Sequence, residues 1–184
     1  MQHDIVFSGF GGQGVLFAGQ LLAYAAMDRG LYVTWIPSYG PEMRGGTANC
    51  TVVVADEEIG SPLVNHPMNV VAFNNPSVDK YEPLVTAGGL LIYNASLTAR
   101  ILTRPDIRGV PIHASEVAAE LGNARLLNMV MLGALLQLSD VLPIEAIETA
   151  LEGHMSTRRP ELLALNCQAL RRGMALANFA SAIA

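Results

Sequence analysis

At 184 residues, with a net charge of −5, a pI near 5.3 and only 15% charged side chains, the chain fits one domain burying roughly 70% of its unfolded surface. Its 11 basic residues gather only at Arg158-Arg159 and Arg171-Arg172, which argues against a nucleic-acid surface. The hydrophobic fraction of 51% and mean hydropathy of +0.34 are consistent with apolar surface meant for a partner subunit or with a helical core rich in Ala and Leu.

The first predicted strand, Asp4-Ile5-Val6-Phe7-Ser8, breaks into Gly9-Phe10-Gly11-Gly12-Gln13-Gly14, a Gly-x-Gly-x-x-Gly turn. A helix is predicted from about Gly14 to Arg29, with Val15, Ala18, Leu22 and Ala25 on one face and Gly30 as its stop. The low charge between Ile5 and Met27 does not make this a signal peptide or membrane span. Asp4 stands where a basic region should be, and glycines with Gln13 and Gln20 interrupt the apolar run. A cytoplasmic protein is expected.

The second predicted strand runs Leu31 to Ile36 and completes a βαβ unit, expected to start a parallel sheet. Pro37 to Gly46 reads as a long glycine-rich loop, and Thr47 to Ala55 as a β-branched strand. Asp56-Glu57-Glu58 is expected to turn into a short hairpin partner at Ile59-Gly60-Ser61-Pro62. Asn69 to Asn74 and Leu90 to Asn94 read as buried parallel strands flanking a helix from Asn75 to about Leu84, and Val110 to Ala114 as a further short strand. From Ser115 onward the periodicity is helical: a short helix to Gly122, a longer one capped by Asn123, one from Pro143 to about Glu152, and a last one near Pro160 to Ala182. The expected fold is α/β: a three-layer α/β/α Rossmann-like domain, its sheet mostly parallel and its C-terminal third helical, spanning residues 1–184 as one domain.

Two constellations carry the chemistry. In the glycine turn, Gly9, Gly11 and Gly14 free the backbone for tight turns and close packing, and the helix start beyond Gly12 and Gln13 offers N–H groups to an anion. An NAD site also needs Asp or Glu at the end of the second strand, about 20 residues on, to hold the ribose. This chain has Pro37-Ser38-Tyr39-Gly40 there, which argues against a nicotinamide dehydrogenase. The second constellation is Ser38-Tyr39-Gly40-Pro41-Glu42-Met43-Arg44-Gly45-Gly46, expected on the same sheet edge. Arg44 suits a phosphate or carboxylate, Glu42 can orient it, and Gly45 and Gly46 admit close approach. On these residues alone, a phosphate-bearing ligand and contact with another subunit are both open.

Cys50 and Cys167 lack Cys-x-x-Cys spacing and cannot by themselves hold an iron–sulfur cluster, so both read as small buried hydrophobes. Histidines 3, 66, 113 and 154 have no metal-ligand spacing, and no nucleophile elbow, Walker loop or thiamine-binding pattern occurs. No catalytic residue is assigned.

The glycine turn, the run from Ser38 through Gly46 into Thr47-Ala48-Asn49-Cys50, Ile59-Gly60-Ser61-Pro62, and Asn128 to Ala134 together resemble the gamma subunit of the 2-oxoacid:ferredoxin oxidoreductases. The likeness spans essentially the whole chain, and the second loop looks most like the 2-oxoglutarate branch. The resemblance implies a subunit without cofactors of its own, in a complex that converts a 2-oxoacid and coenzyme A to acyl-CoA, carbon dioxide and reduced ferredoxin. It implies thiamine diphosphate and iron–sulfur clusters on alpha, beta and ferredoxin-like delta subunits, with ferredoxin as acceptor. Pyruvate, branched-chain and indolepyruvate enzymes share the domain. From the anion-site geometry and the absent ribose acid, Gly9, Gly11, Gly12, Gln13, Gly14, Ser38, Tyr39, Glu42, Arg44, Gly45 and Gly46 are expected to border the coenzyme A approach. A purely structural subunit and a free-standing nucleotide-binding protein are the alternatives, and the isolated chain is expected to dimerise.

Overall fold

The structure is a computed structural model and describes residues 1–40, 45–98, 102–154 and 160–183. Its centre is a six-stranded sheet in the order β2-β3-β1-β4-β5-β6. The strands are β1 (Gln2–Phe10), β2 (Tyr32–Tyr39), β3 (Thr47–Ala55), β4 (Asn69–Ala72), β5 (Leu90–Asn94) and β6 (Arg108–Ile112). β1, β4, β5 and β6 run parallel, whereas β3 is antiparallel to both β1 and β2.

The mostly parallel α/β sheet agrees with the sequence, but one neighbour relation does not. The helix after β1 does lead to a strand parallel to β1, yet β3 is inserted between them, so β1 and β2 never pair. The predicted loop is shorter for the same reason. Pro37, Ser38 and Tyr39 continue β2, with Tyr39 opposite Ala48, so β2 and β3 form a hairpin closed by the Gly40 N–H donating to the Thr47 carbonyl at 2.7 Å. A hydrogen-bonded partner lets residues that read as loop extend a strand. The hairpin partner expected at Ile59–Pro62 is not formed, because β1 and β2 already occupy both edges of β3.

Alternation of side chains divides the core. Ile5, Phe7, Val52, Val71, Ile92 and Ile112 pack against α1 (Val15–Asp28), α3 (Ala114–Glu120), α4 (Leu127–Ser139), α5 (Ile144–His154) and α6 (Pro160–Ile183). Val6, Val70, Ala72 and Leu91 face the other way, onto Val78 and Tyr81 of α2 (Asn75–Tyr81). The predicted helices stand, with Val15, Ala18, Leu22 and Ala25 all buried. Several boundaries move: β1 and β4 differ by two residues at their ends, α2 gives way at Glu82 to a 3-10 turn, the last strand covers Arg108–Ile112, because Ala114 already begins α3, and Asn123 caps a 3-10 turn, Ala124–Leu126, that precedes α4.

α4 is the middle of the helical layer. Leu127 through Leu136 are buried without interruption, so its sequence is apolar all round rather than amphipathic. It crosses α6 where Gly133 lies against the Leu170 carbonyl and Gly173 against the Val130 carbonyl, leaving no room for a Cβ on either helix. Helix backbones in such contact fix the position of the α4 start, and the α4 start reaches the glycine turn.

Candidate functional site

β1, β2, β4, β5 and β6 all end on one edge of the sheet, where β3 begins, so the glycine turn and the β2–β3 connection meet there as expected. The Gly11 N–H donates to the Gly46 carbonyl at 2.9 Å and ties the two segments together. Gly12 (φ 100°) and Gly14 (φ 75°) hold left-handed backbone that a side chain would strain. Gly14 is also the N-cap of α1, which begins without a side-chain cap or an acidic residue in its first turn. That end of the helix carries uncompensated positive partial charge.

Gly9 serves a different purpose. A Cβ there would stand 2.6 Å from Gln13 Oε1 and 2.8 Å from both Phe73 Cβ and Val15 Cγ2, so this glycine provides space. Gln13 uses that space to fold back over the turn. Its Oε1 accepts from the Phe10 N–H at 2.7 Å and from Asn74 Nδ2 at 3.1 Å. Asn74 in turn caps α2 by accepting from the Ser77 N–H at 3.0 Å. The crevice between the ends of β1 and β4, where the connections diverge to opposite faces and such sheets take ligands, is therefore spanned by Gln13 and Asn74. Gln13 braces the corner and its amide oxygen is already engaged.

The open space lies on the α1 side of the same turn. A cleft of about 350 Å³ is lined by Phe10, Gly11, Gly12, Gly14, Phe17 and Tyr39, among others. Tyr39 is 59% exposed and Phe17 38%, so this edge presents aromatic surface beside the glycine backbone. Ser38 is exposed on β2, and Gly45 has φ 77°. Glu42 and Arg44 lie outside the described residues. The insertion of β3 also bears on the missing carboxylate: the end of β2 is two strand spacings, roughly 9–10 Å, from β1, so even an acidic residue there would not adjoin the turn as in a dinucleotide fold.

One contact was not legible from spacing. Asn128, 6% exposed at the start of α4, donates through Nδ2 to the Gly14 carbonyl at 3.3 Å, across 114 residues of chain. The available signal was a lone amide in an otherwise apolar run, since buried polar groups are kept where they have partners.

The thiols take no part in this edge. Cys50 is fully buried against α1, with Sγ 3.8 Å from the Val15 carbonyl, and burial pushes its pKa from 9.0 to about 12. Cys167 is half-buried instead of buried, and its pKa is also raised, first by desolvation and then by Glu148. At pH 8.5 the native chain is expected to take up at most one equivalent of N-ethylmaleimide, at Cys167, and two in denaturant. Mass spectrometry of the native adduct checks this; label on Cys50 would contradict its packing. The sign for stability follows: as pH rises through 9.0, the unfolded Cys50 ionises while the folded one stays protonated, so stability falls from there upward. Among the described residues no three His, Cys, Asp or Glu side chains converge on one point, and no helix is long and apolar enough to cross a membrane.

The chain has relatives among known proteins and solved structures. Over 134 residues the chain is 43% identical to ketoisovalerate oxidoreductase subunit VorA of Methanothermobacter marburgensis; that covers 73% of this chain but only 28% of the relative. It is 36% identical to 2-oxoglutarate synthase subunit KorC of the same organism, over 83% of this chain and 86% of the relative. Among solved structures, the gamma subunit of a keto/oxoacid ferredoxin oxidoreductase from Geobacter sulfurreducens superposes with a TM-score of 0.82 at 28% identity, covering 97% of this chain and 99% of that one. A 2-oxoglutarate:ferredoxin oxidoreductase from Magnetococcus marinus, solved with 2-oxoglutarate, coenzyme A and succinyl-CoA bound, gives 0.88 at 25% identity over 97% of this chain and 31% of that one. With residues 4–176 matching its pattern, the chain belongs to the pyruvate ferredoxin/flavodoxin oxidoreductase family.

Proposed function

We propose that the chain is the gamma subunit of a cytoplasmic 2-oxoacid:ferredoxin oxidoreductase, with 2-oxoglutarate as the oxoacid. The observation that carries this reading is the likeness to KorC along most of that subunit. KorC, a subunit of a 2-oxoglutarate synthase, matches this chain at 36% identity over 83% of this chain and 86% of its own length. Alpha, beta and ferredoxin-like delta subunits then hold thiamine diphosphate and the iron–sulfur clusters, which supply decarboxylation and electron transfer to ferredoxin. Without them the gamma chain dimerises through apolar surface they would cover. The higher identity to VorA favours a second reading, in which the oxoacid is 2-oxoisovalerate.

In either case the glycine turn and the Arg44 loop border the path of coenzyme A to the thiamine-bearing subunits. The uncapped start of α1 and the guanidinium of Arg44 meet the negative charge of its phosphates. The complex, purified with all four subunits, should reduce ferredoxin with 2-oxoglutarate and coenzyme A faster than with pyruvate or 2-oxoisovalerate. Arg44→Ala should raise the KM for coenzyme A about tenfold and leave that for the oxoacid within about twofold, the loss of one charge-assisted hydrogen bond. Unchanged coenzyme A kinetics would assign the loop to subunit contact alone. Full turnover by the other subunits without this chain, or by this chain unaided, would overturn the assignment.

A further inference from the structure

On one side the sheet ends at β2, and this edge is unguarded. Tyr32 to Tyr39 holds no charged residue, and none of its eight residues is fully buried. Edge strands are ordinarily blunted by charge, proline or shortness, because their outward N–H and C=O groups template pairing with another strand. The opposite edge follows that rule: β6 is five residues long, opens on Arg108 and contains Pro111. On β2 the hairpin fixes where each backbone group points. The Gly40 N–H donates to the Thr47 carbonyl, and Gly40 stands opposite Thr47 in the register that pairs Tyr39 with Ala48. Opposed residues of an antiparallel ladder alternate between bonded and non-bonded pairs. Tyr32, Thr34, Ile36 and Ser38 therefore turn their backbone groups to β3, whereas Val33, Trp35, Pro37 and Tyr39 turn theirs away from the sheet. Pro37 holds an outward position, where its missing N–H costs the sheet nothing.

The outward row is matched to the same strand of a second copy, antiparallel across a two-fold axis at Thr34. Val33 then stands opposite Trp35 of the other copy, and each such pair exchanges both of its N–H···O=C bonds, with Pro37 beyond the last pair. A two-fold at Trp35 would set the Val33 carbonyl against the Pro37 ring. One at Val33 would call on the Leu31 N–H, which already donates to the Ala26 carbonyl at 3.1 Å. Side chains agree with the Thr34 axis. Val33 and Trp35 pack towards α1, so the other face of the strand carries Tyr32, Thr34 and Ile36, and Tyr32 and Ile36 are 51% and 39% exposed. The axis sets Tyr32 against Ile36 and Thr34 against Thr34, an aromatic–β-branched pair on each side of a threonine pair, which are favourable cross-strand partners. Each copy carries a net charge of −5, and an edge without charge lets two copies meet with no like charge across the axis. We infer that β2 is the surface through which two copies of this chain join, forming one continuous sheet across the two-fold. This rests on the dimerisation stated above and deepens it by naming its strand and register.

The test uses the full chain alone. Size-exclusion chromatography with light scattering should read twice its 19.6 kDa mass. Val33→Pro removes an outward N–H and no bond to β3, and should give the monomer. Ile36→Lys should do the same, since it places a charge where Tyr32 of the other copy packs. Crosslinking reads the register separately. Thr34→Cys, in a Cys167→Ser background that leaves only the buried Cys50, should form a covalent dimer on mild oxidation. Directly opposed residues of a non-bonded antiparallel pair stand about 4.5 Å apart at Cα, within disulfide reach. Ile36→Cys in the same background should stay uncrosslinked, because its two copies lie roughly 13 Å apart along the strands. Dimers that persist in both Val33→Pro and Ile36→Lys, or a Thr34→Cys chain that does not crosslink, would overturn pairing through β2 and leave the dimerisation standing. A monomeric unsubstituted chain would overturn both. If that monomer binds a thiamine-bearing subunit and loses it on Val33→Pro, the edge belongs to that subunit instead of a second copy. The ferredoxin-reduction assay that decides the oxoacid is independent of all these outcomes.

Discussion

Substituting alanine for Gly133 is expected to lower the thermal midpoint by roughly 6–12 °C, the consequence of about 3 kcal/mol of lost stability at roughly 2–4 °C per kcal/mol for a chain of this size. The added methyl group would fall far inside contact distance of the Leu170 carbonyl oxygen, and that obstacle is backbone, which cannot rotate away. The two helices would have to separate. Relief by separation is costly here because α4 is buried along Leu127 to Leu136 and also carries Asn128 to the glycine turn. Gly173→Ala meets the Val130 carbonyl from the opposite helix and should act alike. The double substitution should cost less than the two summed, since the first one already parts the helices. Gly153→Ala, within α5 and with nothing near the added carbon, should instead raise stability by a few tenths up to about 1 kcal/mol. Circular dichroism melts of the three single variants and the double decide the matter, and a Gly133→Ala midpoint within about 1 °C of the original would refute the close crossing.

Gly9→Ala should destabilise the chain by about 2–3 kcal/mol, more than Gly12→Ala, although both residues belong to the same turn. The reasons differ. Gly12 needs its backbone angle and has open space around it, so alanine there costs about 1–2 kcal/mol of strain. Gly9 needs the space itself, since its Cβ would meet Gln13, Phe73 and Val15 from three sides. Removing the Gln13 side chain relieves only one of those three contacts and takes away the acceptor used by the Phe10 N–H and Asn74. The Gly9→Ala, Gln13→Ala double variant should therefore be less stable than Gly9→Ala alone. Recovery of stability in the double variant, measured by urea denaturation, would show that Gln13 is the sole obstacle and that the tight approach of β1, α1 and β4 is not what the glycine serves.

This contrast also shows how much of the site could be read from residue order. Periodicity located nearly every helix, and the β-branched run Thr47 to Ala55 was a strand with those same bounds. Motif spacing placed the glycine turn and the Tyr39 segment on a common edge, which the Gly11 to Gly46 hydrogen bond establishes. It assigned Gln13 to the same ligand-facing set as the glycines, because a linear pattern does not say which way a side chain turns; the side chain turns inward. Phe17 had no motif to announce it, and Asn128 stood in a recognised stretch that said nothing of its contact with Gly14. They come together because the Gly133–Gly173 crossing sets the position of α4, and the start of α4 then stands beside the start of α1.

The order of residues by itself determined the α/β class, the helical C-terminal third, the glycine turn and the want of a ribose-binding acid, because each is written in neighbouring residues or in short-range periodicity. Tertiary structure alone decided that β3 lies between β1 and β2, that Gln13 and Asn74 close the crevice beside β4, and that Asn128 reaches the Gly14 carbonyl. Strand order and helix crossings depend on which distant surfaces pack together with the least void and the fewest unpaired polar groups. That competition is settled among segments up to 126 residues apart, as between Asp28 and His154.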